Sequence, residues 1–157
     1  KEASQLKGKT IALESDSSEI IAFLNKSKVF PKREEIVPLE FDAVQILNKK
    51  ADAISAYITD EPYAFDSIGF KYNILEPRHN GIDFYGDILF TSEKLINTNP
   101  ELVENFRLAS LKGWHYALDN PFEIIFLIQN KYSRRHSPEH LKFEMGILLD
   151  QPDKIHR

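Results

Sequence analysis

Short apolar runs alternate with helix-period stripes over the first part of the chain. Thr10-Ile11-Ala12-Leu13-Glu14 reads as a strand launched by the turn at Lys7-Gly8-Lys9. Ser15-Asp16-Ser17-Ser18-Glu19 follows, a run of helix-capping residues with acids in the first turn. Ile20, Ile21, Phe23 and Leu24 then give an apolar stripe spaced for a helix. Ile36-Val37-Pro38-Leu39 is a second strand, assigned to an edge because Pro38 lacks a backbone donor. A helix is expected over 41–50 and a third strand over Ala53 to Ile58. The small Ala and Ser residues of that strand suit tight packing or a ligand close to the backbone. Thr59-Asp60-Glu61-Pro62 opens a third helix, Gly69 ends it, and Lys71 to Leu75 read as a fourth strand. Strands separated by helices imply a mostly parallel sheet, because parallel neighbours need crossovers.

Arg78-His79-Asn80-Gly81 is turn chemistry, and Phe84 to Phe90 returns to an extended apolar pattern expected to be the hinge return strand, with the crossing between lobes near 76–86. From Ser92 onward the pattern is helical only. Asn99-Pro100, Asn120-Pro121 and Ser137-Pro138 each place a polar cap before a proline at the first helical position. Phe122 and Phe126 stand where a surface helix could carry charges, which points to an extra contact surface. The expected division is an α/β lobe over 6–78, a hinge return strand and helical segment over 79–150, and flexible ends at 1–5 and 151–157.

Composition narrows the function classes. With 42% apolar residues, including 11 Phe, 6 Tyr and one Trp, the 157-residue chain has enough material for a core. A formal net charge of −4 argues against nucleic-acid binding, which needs a basic face. Lys131, Arg134, Arg135 and His136 form the nearest basic cluster and read as the solvated end of a helix. The absence of cysteine removes disulfides, thiolate nucleophiles and Cys-ligated metal. No apolar run approaches the ~20 residues of a membrane span, and no secretory leader is recognisable.

Three groups could carry chemistry. Ser15, Asp16, Ser17 and Ser18 follow a strand and precede a helix; they either cap that helix or present hydroxyls and backbone N–H groups to a ligand. Tyr57, Thr59, Asp60, Glu61 and Tyr63 follow the third strand, where an aromatic and a carboxylate suit a planar, amine-bearing ligand; exposed acids on a capped helix are the plain alternative. Tyr85, Gly86 and Asp87 lie in the crossing segment, where Gly86 could bend the backbone and Tyr85 face a cleft, or form a bulged strand without a role. His136 and His140 are four apart, but Ser137-Pro138 starts a helix between them, so a shared turn is not expected and no metal is assigned. No catalytic triad, phosphate-binding glycine loop or dinucleotide fingerprint occurs. No catalytic residue and no cofactor are expected.

Leu6-Lys7-Gly8-Lys9-Thr10-Ile11-Ala12 resembles the start of the second lobe of type II periplasmic binding proteins. The segments ADAISAYITDEPY (51–63), GIDFYGDILFTSE (81–93) and NPELVENFRLASLKGWHYALDNP (99–121) resemble the thiamine-pyrimidine-precursor-binding branch of that family. The resemblance implies a three-layer α/β/α fold, with a mostly parallel sheet in the second lobe and a helical C-terminal segment. It implies an extracytoplasmic, periplasmic small-molecule-binding domain for a pyrimidine- or amine-like ligand. Such a domain serves as the sensor part of a histidine kinase or diguanylate cyclase, or as the solute-binding subunit of an ABC transporter. On that resemblance Ser15 to Ser18 line the cleft, Glu61 is the polar anchor, and Tyr85 to Asp87 sit near the hinge. The chain itself is then not an enzyme, and it meets a membrane only through a parent receptor or permease. The alternative is a relative of the pyrimidine-precursor synthases of thiamine biosynthesis. Fungal members of that type carry a cysteine-rich iron motif, which has no counterpart here. Family members carry a further ~80–100 residues of first lobe upstream. Their absence from this sequence leads to the expectation of apolar helix faces beyond residue 92 and of a homodimer that covers them.

Overall fold

The computed structural model describes residues 2–40 and 44–150, which divide into two compact units, 1–85 and 86–157. In the first unit three short strands, β1 (Ile11–Leu13), β2 (Ile36–Pro38) and β3 (Ala53–Ile54), form a parallel sheet in the order β2-β1-β3. Ile11 pairs with Ile36 on one side and with Ala53 on the other. The central strand is buried at all three positions, as expected for a parallel strand covered on both faces. Pro38 ends an edge strand, where its missing donor costs nothing. The protein is thus an α/β fold with a parallel sheet and a helical C-terminal segment.

Helix α1 (Ser18–Lys26) makes the crossover from β1 to β2 and directs Phe23 and Leu24 onto Ile11 and Leu13. It closes with a Schellman turn. The Val29 N–H donates to the Leu24 carbonyl at 2.9 Å and the Lys28 N–H to that of Asn25 at 3.0 Å. This requires Lys28 to adopt φ 56°, and it leaves Val29 fully buried against the same core. Helix α2 (Val44–Leu47) is the described part of the helix expected over 41–50; positions 41–43 lie outside the described residues. Its Gln45 is buried, donating to the Pro38 carbonyl at 3.1 Å and accepting from the Glu40 N–H at 2.8 Å.

Helix α3 (Glu61–Ser67) ends in a second Schellman turn around Gly69 at φ 67°, with the Phe70 N–H bonded to the Phe65 carbonyl. The fourth strand expected over 71–75 does not form. Phe70 and Tyr72 instead fold back on Phe65, with ring centroids 5.3 and 5.2 Å away, and Leu75 packs on the core. Their alternation reports contact with α3 rather than a ladder. The third strand is shorter than expected, stopping at Ile54, because the chain turns at Tyr57 to start α3. At the N-terminal end, Ala3–Leu6 forms a 3-10 turn with Ala3 buried in the core. Residues 151–157 lie outside the described residues.

The second unit holds α4 (Glu93–Thr98), α5 (Pro100–Asp119), α6 (Pro121–Leu127), a π-helical turn (Ile128–Tyr132) and α7 (Pro138–Leu149). The three predicted Pro starts all appear. Asn99 accepts from the Leu102 N–H at 3.1 Å and Ser137 from the His140 N–H at 3.1 Å, each capping its helix through the side chain. Asn120 does not; its amide donates back to the Tyr116 carbonyl at 2.8 Å. Ile125 and Leu141 are buried where α6 meets α7. The return strand expected across 84–90 is absent, because no described segment offers it a ladder partner.

Candidate functional site

The carboxyl ends of β1 and β3 lie side by side, and the loops that follow them share one rim. Ser55, just past β3, donates its backbone N–H to the Ala12 carbonyl at 2.9 Å. Its hydroxyl accepts from the Glu14 N–H at 3.2 Å. A small hydroxyl residue at the end of a strand is therefore the tie between the two loops. The small Ala and Ser residues of this strand had suggested tight packing or a ligand close to the backbone; the tie itself was not foreseen.

The Ser15 to Ser18 loop begins at that tie. Ser15, Asp16 and Ser18 are exposed and Ser17 is half-buried. Ser17 stands at the N-cap of α1, but its hydroxyl donates to the Glu14 carbonyl at 2.9 Å and accepts no helix N–H. Side-chain capping, the plain reading of this loop, does not occur there.

On the β3 side, Glu61 is the first residue of α3 and its carboxylate accepts the Tyr57 N–H at 2.8 Å. The side chain is half-buried, and its pKa lies above the ordinary carboxylate value. Desolvation is the main cause, opposed by the N–H groups of Glu61 and Tyr57, and reinforced by the negative charges of Asp60 and Glu14. Glu14 therefore lies close enough to Glu61 for its charge to be felt. Sequence patterning had not marked it. Tyr57 is 62% exposed.

The structure thus brings together Ser15, Asp16, Ser17, Ser18, Tyr57 and Glu61 on one sheet edge. Tyr85 is 85% exposed at the end of the first unit, and Asp87 is exposed in the second unit. A separate open depression of about 370 Å³ in the first unit is lined by Glu2, Ala3, Ser4, Phe23, Ser27, Leu75 and Asn80, none of which belongs to this rim.

A parallel sheet whose strand-end loops meet over its carboxyl edge is the geometry in which open α/β folds hold ligands. A family model described as NMT1/THI5 like matches residues 1–124. The chain belongs to this family. Its members are type II periplasmic-binding-protein modules, and the chain is accordingly a ligand-binding domain of the solute-binding kind. No curated protein and no solved structure matches it. Most of the family binds substrates without transforming them, although an enzyme branch exists. No helix among the described residues is long and apolar enough to cross a membrane.

Proposed function

We propose that this protein is an extracytoplasmic binding domain for a small pyrimidine- or amine-like molecule, serving as the sensor part of a signalling protein or as the solute-binding subunit of a transporter. The observation that carries the reading is the tie between Ser55 and Glu14, which sets the Ser15–Ser18 and Tyr57–Glu61 loops on one rim. Glu61 accepts N–H donors from the ligand while the Tyr57 ring supplies stacking area. The first N–H groups of α1, uncapped by Ser17, face polar or anionic ligand atoms.

A thermal-shift screen of pyrimidines, amines and amino acids tests the reading. A ligand present at a hundred times its dissociation constant stabilises the fold by about 2.7 kcal/mol. Glu61→Ala should abolish the shift for an amine-bearing ligand; an unchanged shift removes Glu61 from the site. Turnover of a pyrimidine precursor by the purified protein would overturn the non-enzymatic assignment.

Homodimerisation belongs to the same reading. Phe122 and Phe126 are 75% and 70% exposed, and Phe106, Leu102 and Trp114 are at least half exposed. Burying such side chains is worth roughly 25 cal/mol per Å². Light scattering coupled to size exclusion should report a dimer, and a well-behaved monomer would end the idea.

A further inference from the structure

The two histidines expected to lie apart are in contact. Nδ1 of His136 and Nδ1 of His140 are 3.0 Å from each other, with the rings near perpendicular at 69° and their centroids 4.2 Å apart. The cap of α7 brings this about. Ser137 is the N-cap, so His136 stands just before the helix and His140 at its third position. The His136 side chain, just before the cap, meets the His140 ring in the first turn of the helix.

Both partners are held. The Ser137 hydroxyl accepts the His140 N–H at 3.1 Å, and Pro138 presets the first helical residue. Gln129, in the π-helical turn, donates its side-chain amide to the His136 carbonyl. His140 is buried and His136 half-buried, so packing limits the rotamers of the pair.

We propose that His136 and His140 form a binding site for a divalent transition ion of the zinc, nickel or copper class. Two imidazole nitrogens, each about 2.0–2.1 Å from one ion, stand roughly 3.3 Å apart in a tetrahedral site and about 2.9 Å apart in an octahedral one. The observed separation lies between those values. Without an ion, one Nδ1 carries a proton and donates it to the other. When the ion binds, that ring moves its proton to Nε2, and both Nδ1 lone pairs turn to the metal. Imidazole ligands select this class of ion over magnesium or calcium, which take oxygen. The contact departs from the expectation, drawn from the sequence, that the two rings do not share a turn.

The test titrates the untagged full chain with zinc chloride by calorimetry, and with cobalt(II) while following its ligand-field absorption. The expected result is one saturable equivalent for the native protein. His136→Ala should weaken binding at least 10-fold, since loss of a mere supporting group already costs 10–100-fold. The remaining histidines, His79, His115, His140 and His156, stay in place, so residual binding by them is measured in the same variant. His136 is half-buried and precedes the helix, so its removal leaves the fold intact by circular dichroism. His140→Ala serves as the second variant where it folds. Absence of saturable binding to the native chain overturns the proposal. So does an affinity unchanged in His136→Ala.

Discussion

The backbone N–H of Tyr57 donates to Oε2 of Glu61 across 2.8 Å, so the first residue of α3 closes the loop that leads into it. Burial desolvates the carboxylate beside the charges of Asp60 and Glu14, and its pKa rises from 4.5 although the Tyr57 N–H opposes the shift. The folded chain therefore holds this proton more tightly than the unfolded chain. The stability contributed by that preference is full below pH 4.5 and is lost as the pH rises through the higher folded value. Glu61→Gln keeps an oxygen for the Tyr57 N–H and removes the charge. At pH 7 the variant should be more stable than the native protein, by roughly 0.5 kcal/mol because the group is only half-buried. The gain should be smallest below pH 4.5. Urea unfolding at pH 4 and pH 7 measures both; a variant that gains more at pH 4 than at pH 7 contradicts the sign.

Lys28 offers a test of backbone strain alone. It occupies the left-handed position of the α1 Schellman turn at φ 56°, where a side chain is disfavoured by about 1–2 kcal/mol. Its side chain is exposed. Lys28→Gly should stabilise the protein by about 1 kcal/mol, the relief being partly offset by the extra freedom of glycine in the unfolded chain. Thermal denaturation reads the change, and a lower midpoint would mean that the Lys28 side chain makes a contact worth more than the strain.

What the sequence made legible, and what it did not, follows from the range of each interaction. Asn99-Pro100 and Ser137-Pro138 mark helix starts because a cap and a proline act within one turn. The meeting of the Ser15–Ser18 and Tyr57–Glu61 loops was legible too, since in a parallel sheet every strand-end loop falls on the same edge. The segments 71–75 and 84–90 were misread because an apolar alternation says only that side chains are spaced, and a strand also needs a partner in register. Phe70 and Tyr72 found Phe65 instead. The histidine contact was hidden by the same Ser137-Pro138 cap that was taken to separate the two rings. Counting residues along a helix misses a side chain that folds over the cap from outside.

Leu24 is 1% exposed and packs between β1 and the buried Val29. Leu24→Ala removes three carbons from a closely packed site and should cost about 2–5 kcal/mol. The loss should appear as a lower urea midpoint with an unchanged slope. A cost below 1 kcal/mol would show that the core collapses around the cavity, and that the first unit is packed more loosely than its burial indicates.

Ser137→Ala separates helix capping from the histidine contact. It removes the oxygen that accepts the His140 N–H and should lower stability by about 1 kcal/mol. Ser137→Asp retains an acceptor and adds a favourable negative charge at the helix start, so it should recover that loss. Chemical denaturation of the two variants side by side decides the matter. Equal destabilisation by both would mean that the hydroxyl serves something other than the cap.

Ser55→Ala addresses the tie on which the rim depends. The hydroxyl is the acceptor for the Glu14 N–H, and that bond is partly buried. Its loss should cost about 1 kcal/mol in the free protein. The effect on a ligand should be larger than that figure alone, because Glu14 leads directly into Ser15–Ser18 and a loop released at its root must be reordered when the ligand binds. Ser55→Thr, which keeps the hydroxyl, should retain more of the affinity than Ser55→Ala. Isothermal titration of both variants with any compound found by thermal shift gives the comparison. If Ser55→Ala lowers stability yet leaves the dissociation constant unchanged, the two loops do not act together on the ligand, and the site must be sought on one of them alone.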